Sequence, residues 1–179
     1  MIPVSLLIGL CEMIEDTNMT SMLSGMYEMC FPTWLRSFCE KLDEAKKRNI
    51  QLENDAHYDA IISLLAASVN ENEDNMNKVL DKQMVPYITK IMKSSQWEHD
   101  RYIPSLKLIA RLANGKIEAA NLFVDNYVHT ILLGQIKKSL TIYKKYNSLF
   151  EDNSPDSIEH QMLKYQTLAA EIKALGGLL

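Results

Sequence analysis

A chain of 179 residues is long enough for one domain with a real core and scarcely long enough for two. Apolar residues make up 47% and charged residues 23%, which are ordinary globular values and exclude wholesale disorder. A net charge of −4 and a pI near 5.6 remove the electrostatic ground for expecting nucleic acid as a partner.

Cys11, Cys30 and Cys39 form no CxxC pair and no zinc spacing, so they read as reduced core thiols and point to a cytoplasmic or nuclear setting. No apolar run reaches the ~18–20 residues of a membrane span, so a membrane partner is not expected. Residues 2–10 are apolar, but they lack a basic region before them and a small-residue cleavage site after them, and they read as a helix. With only six glycines and five prolines, the expected class is all-α with short turns.

In chain order, Pro3 opens a first helix to Glu15 that is apolar nearly all round and is therefore expected to be buried. Asp16, Thr17 and Asn18 supply cap-type residues for a short helix from Met19 to Tyr27. Phe31-Pro32 opens a longer helix with Trp34, Leu35, Phe38, Cys39 and Leu42 at i, i+3, i+4 spacing, continued by a solvated run from Asp43 to Arg48. A buried helix follows from Asn54 to Asn70, then a short one from Asp74 to Lys82, then one starting at Val85-Pro86. Ser94 to Asp100 is a polar connection holding Trp97. A helix from Ile103-Pro104 runs to Ala113, with Asn114-Gly115 as its stop signal. Glu118 to Tyr127 is short and Val128 to Phe150 long. After the loop from Glu151 to Pro155, Ser157 caps a last helix to Leu175, which Gly176-Gly177 ends.

The stretch from Tyr58 to Ile136 repeats itself at an offset of 44 residues without a gap. Leu64, Ala66, Asn70, Asp81 and Lys93 fall on Leu108, Ala110, Asn114, Asp125 and Lys137, and the apolar positions between them agree. The first helix matches as well, so that Gly9, Ala66 and Ala110 recur at one place in three helices, where a small side chain would permit close packing. A helical pattern recurring every ~40–47 residues marks an armadillo or HEAT array.

The order of short, medium and long helices resembles the armadillo repeat over nearly the whole chain. The resemblance implies a right-handed α-solenoid of about three repeats, roughly 17–70, 74–113 and 116–175, in a single domain over 1–179. The chain opens on a helix of the third type, which suggests a piece of a longer array or one end of it. Importin-α-type repeats carry Trp and Asn four residues apart on the third helix. Those places hold Lys107 and Arg111 here, and Ser63 and Ala67 one repeat earlier, so nuclear-signal binding is not carried over.

Chemistry leaves no local signature. The glycines form no phosphate loop, His57, His99, His129 and His160 lie in four segments, and neither HExxH nor GxSxG occurs. Asn70, Asn72, Asp74 and Asp81 imitate calcium-loop spacing, but Asn75 stands where the sharp turn needs glycine, and the stretch reads as a solvated loop. No enzyme and no cofactor are expected.

The expected function is therefore a non-enzymatic protein–protein interaction module or scaffold. Its concave helical surface would hold a peptide or helix, an acidic one where it meets Lys107 and Arg111, with Trp97 as an added contact. Two other readings stand beside it. One is a non-catalytic helical part of a ubiquitin ligase or deubiquitinase; the other is a scaffold that associates with itself through the apolar first helix.

Overall fold

The structure is a computed structural model that describes residues 3–17, 23–50, 52, 55–70, 72–96, 98–147 and 155–178, without the side chains of 15–17, 24, 142–147 and 155–161. The described residues form ten helices and no strand. They are α1 (Val4–Thr17), α2 (Ser24–Met29), α3 (Phe31–Lys47), α4 (Ala56–Ser68), α5 (Glu73–Asp81), α6 (Val85–Ser94), α7 (Tyr102–Gly115), α8 (Ile117–Asp125), α9 (Val128–Asn147) and α10 (Pro155–Gly176). The all-α expectation and the order of helix lengths agree with this. Asn18, the loop from Glu151 to Ser154 and the Ser157 side chain lie outside the described residues.

Six helices pack on the one three places further along: α1 on α4, α4 on α7 and α7 on α10, with α3 on α6, α6 on α9 and α2 on α5; α5 packs instead on α7, and α8 on α6, α7 and α9. The core runs through all of these contacts. The 44-residue register has a counterpart in burial. Leu64 and Leu108, Ala66 and Ala110, Met84 and Val128, and Ile88 and Leu132 are each at most 2% exposed. A helix with a wide apolar stripe must bury it, and equivalent stripes meet equivalent neighbours.

Polar ties cross the layers at specific places. The Tyr27 hydroxyl lies 2.5 Å from Ser68 Oγ, which joins α2 to α4. Asn75 Nδ2 donates to the Ser68 carbonyl at 2.8 Å, so the start of α5 is held to the end of α4. Asn72 caps α5 by accepting from the Asn75 N–H at 2.9 Å, which accounts for part of the calcium-like spacing as capping. Burial raises the Tyr27 phenol well above its usual range. On the surface, Glu28 pairs with Lys82, Asp43 with Lys90 and Glu73 with Lys116, which tie α2 to the end of α5, α3 to α6 and α5 to the start of α8. Solvent screens these pairs, so the buried contacts decide the packing.

Three sequence expectations need correction. Helix α1 is not buried all round: Leu7 and Ile14 are, but Leu6 is 54% and Ile8 48% exposed, because α4 covers only one side. Gly9 does not serve close packing within the chain. It is exposed, and a Cβ built on it meets nothing within 4 Å. Gly115 does not stop α7 in a left-handed conformation. It is the helix's last residue, and the extended Lys116 follows as the cap.

Left-handed backbone instead occurs at Asn49, Gln83 and Tyr127, with φ of 57°, 52° and 59°. After α5, the Gln83 N–H donates to Leu80 O at 2.9 Å and the Met84 N–H to Val79 O at 3.0 Å, a Schellman closure. Gln83 and Tyr127 are 44 residues apart and both follow a short helix in left-handed backbone; after α8 the Tyr127 N–H donates to Val124 O at 2.9 Å. An L-residue held in this region costs about 1–2 kcal/mol. Both side chains are exposed, so little packing is lost with them. Gln83→Gly and Tyr127→Gly are each expected to raise stability by about 1 kcal/mol, and the corresponding alanine variants not at all. Urea unfolding checks this: equal midpoints for the glycine and alanine variants would show that the backbone is not strained there.

Candidate functional site

Helices α1, α4, α7 and α10 form one continuous row, and α7 is one of its two inner members. Lys107 is exposed and Arg111 half-buried, one turn apart on the open side of α7. Arg111 Nη1 donates to the Ala66 carbonyl of α4 at 2.5 Å. That bond aims its guanidinium across the groove between the two helices. Trp97, the third residue expected to touch a partner, lies outside the described residues.

Lys107 and Arg111 form a ridge between two grooves. On one side, α1, α4 and α7 enclose about 400 Å³, with Glu12, Asp59 and Asp100 among the lining groups. On the other, α7 and α10 enclose about 450 Å³. This second groove has a floor of Ala110, Ala169 and Ala170, and Lys173 of α10 faces Lys107 and Arg111 across it. Three cations and no carboxylate line it. Carboxylates thus line the α1-side groove, Glu12 and Asp100 beside the ion-paired Asp59, and none lines the α10-side groove.

The ridge rests on a buried ion pair that sequence reasoning missed. Arg101, at the N-cap of α7, is fully buried. Its Nη1 donates to Asp59 Oδ1 at 3.1 Å and its Nη2 to Leu52 O at 3.2 Å. Its guanidinium carbon lies 5.3 Å from the centroid of the Phe38 ring. The Asp55 N–H donates to Asp59 Oδ2 at 2.9 Å, so both carboxylate oxygens are engaged. Burial raises the Asp59 carboxyl above its ordinary value, although Arg101 pulls it the other way. Arginine and aspartate are common surface residues, and nothing local in the sequence marks this pair as interior.

His99 and Glu171 complete the support. His99 Nδ1 accepts from the Gln96 N–H at 3.0 Å and lies 3.1 Å from Arg101 Nη2, an arrangement that suits a neutral ring. Burial, and then the charge of Arg101, lower its pKa from the ordinary 6.5. Glu171 of α10 is buried, accepting from the Tyr102 hydroxyl at 2.7 Å and from Ser139 Oγ at 3.2 Å. Burial raises its carboxyl above the ordinary range, against the effect of both hydroxyls. These bonds lock α7, α9 and α10 together and hold one wall of the basic groove.

Among the described residues no group of three or more His, Cys, Asp or Glu is placed to hold a metal ion. Among them, too, no helix is long and apolar enough to cross a membrane. Comparison with protein-family models, with curated proteins and with solved structures finds no match.

Removing one partner of a buried ion pair leaves the other uncompensated. Arg101→Ala is therefore expected to cost about 3–5 kcal/mol in urea unfolding. A cost near that of an exposed substitution would remove the pair from its supporting role.

The pH dependence has two arms of opposite sign. His99 binds its proton less tightly when folded, so its contribution is lost as pH falls through 6.5 toward the lower folded value. Glu171 binds its proton more tightly when folded, so its contribution is lost as pH rises from the ordinary glutamate range through the folded value. Thermal melts across this range should show a shallower acid-side loss for His99→Asn and a shallower loss on raising pH for Glu171→Gln. Parallel curves for wild type and both variants would exclude these groups as the cause.

Proposed function

We propose that this chain is an armadillo-like right-handed α-solenoid acting as a non-enzymatic protein-binding module. In this reading an acidic, extended segment of a partner lies along the groove between α7 and α10. The observation that carries it is the groove lined by Lys107, Arg111 and Lys173 with an alanine floor and no carboxylate. Small floor residues let a peptide backbone come close, and the cations on the walls select carboxylate side chains. Support for the solenoid comes from the packing of six helices on the one three places on, the shared burial at a 44-residue offset, and the left-handed φ at both Gln83 and Tyr127.

The roles of the three cations differ. Lys107 and Lys173 are exposed and give attraction that salt weakens, whereas Arg111 is tethered to Ala66 O and presents a fixed edge. Fluorescence anisotropy with a labelled Glu/Pro/Leu peptide and its Lys/Pro/Leu counterpart tests the reading. The acidic peptide is expected to bind, and Lys107→Glu and Lys173→Glu each to weaken it by about tenfold. Equal binding of the basic peptide, or a double variant that binds as wild type does, would overturn it.

A further inference from the structure

A second surface lies away from this groove and is built differently. On α1, Leu6 and Ile8 are 54% and 48% exposed, with Gly9 and Glu12 exposed beside them; Ile8 and Glu12 also edge the groove toward α4 and α7. On α9, Leu133 and Leu140 are 44% and 40% exposed, with Gly134, Lys137 and Lys138 exposed beside them. In the packing order, α1 stands at one end of its row and α9 at the opposite end of the row formed with α3 and α6. Each face has an exposed leucine and a charged residue beside a glycine, and the charges are opposite.

The charge difference extends beyond the two patches. Residues 1–35 carry four acids (Glu12, Glu15, Asp16, Glu28) and no lysine or arginine. Residues 126–150 carry four lysines (Lys137, Lys138, Lys144, Lys145) and no acid. A chain of net charge −4 thus holds an acidic α1 and a basic α9. Such complementarity steers association and fixes its register.

The glycines point the same way. A glycine inside a helix costs about 1 kcal/mol relative to alanine. A Cβ built on Gly9 or on Gly134, as on Gly25 and Gly176, meets nothing within 4 Å, so nothing in this chain needs the missing side chain; Gly9 and Gly134 are the two that lie inside long helices. A helix laid across either position would need it, because close approach of two helix backbones requires small residues at the crossing.

We propose that α1 of one copy docks on α9 of a second copy, head to tail. With the two glycines opposed and the helices running in the same sense, Glu12 lies three residues past Gly9 and Lys137 three residues past Gly134. Both offsets are about 4.5 Å along the helix axis, which brings the carboxylate to the ammonium groups of Lys137 and Lys138. Leu6 then lies against Leu133 on the other flank of the contact. The two surfaces differ, so the contact is heterologous and propagates into a ring or a filament rather than closing as a symmetric dimer.

The test uses the full chain and two variants, Gly9→Gln and Gly134→Gln. Each places a long side chain where this chain has open space, so each is expected to fold and to melt no lower than wild type. In sedimentation velocity, wild type is expected to form oligomers that grow with concentration and shrink with added salt. Each variant alone should stay monomeric. An equimolar mixture should give a discrete dimer, because each variant retains the face the other lacks. Glu12→Lys should weaken assembly by about tenfold, and combining it with Lys137→Glu and Lys138→Glu should restore it. A wild type that stays monomeric at submillimolar concentration and low salt would overturn the proposal. So would variants that assemble as wild type does, or a mixture that stays monomeric.

Discussion

The Arg101–Asp59 pair sets the geometry on which the rest of the row depends. A fully buried guanidinium is unfavourable unless its donors meet acceptors, and here its two terminal nitrogens reach a carboxylate on α4 and the carbonyl of Leu52 ahead of it. The face of the same group lies over Phe38 on α3. One side chain at the start of α7 therefore fixes the position of α7 against two earlier helices at once. The exchange of a few apolar contacts could be absorbed by repacking, but a buried charge has few alternative partners, so the pair also favours one arrangement over others.

Two further polar ties act at neighbouring interfaces. Tyr102, the residue after Arg101, bonds to Glu171 and so passes the position of α7 on to α10, while Ser139 brings in α9. Tyr27 and Asn75 both bond to Ser68 and join α2 and α5 to the end of α4. Between them lies an apolar core of leucine, isoleucine and alanine that supplies most of the stabilisation but little direction. The hydrogen bonds add modest net energy. They are costly to leave unmade, which makes the helix register specific.

This framework explains why the open side of the row can carry function. Helices held from beneath need not pack their outer turns, so Lys107 and Lys173 can stay exposed on a rigid base and Arg111 can be aimed by a backbone carbonyl. The acidic lining near α1 and the basic lining near α10 follow from which side chains the packing leaves outside. In the proposed reading the basic groove receives a partner's acidic segment. The end faces, apolar and oppositely charged, would serve a separate contact with a second copy.

By itself the sequence determined the class, the number and order of the helices, and the faces that are buried at a 44-residue spacing. Those features are local: periodicity, prolines at helix starts and capping residues act within a turn or two. It also placed Lys107 and Arg111 on one side of one helix, because i, i+4 spacing is a property of any helix. Tertiary structure alone decided that Lys173, sixty-six positions after Lys107, completes the same groove. It decided that Arg101, Asp59 and Glu171 are interior although their residue types favour water, and that Leu6 and Ile8 stay exposed although their types favour burial. It also placed the left-handed closures on Gln83 and Tyr127, where no glycine signals them. The physical reason is common to all of these: burial and partnership depend on which distant helix packs alongside, and no local pattern carries that information.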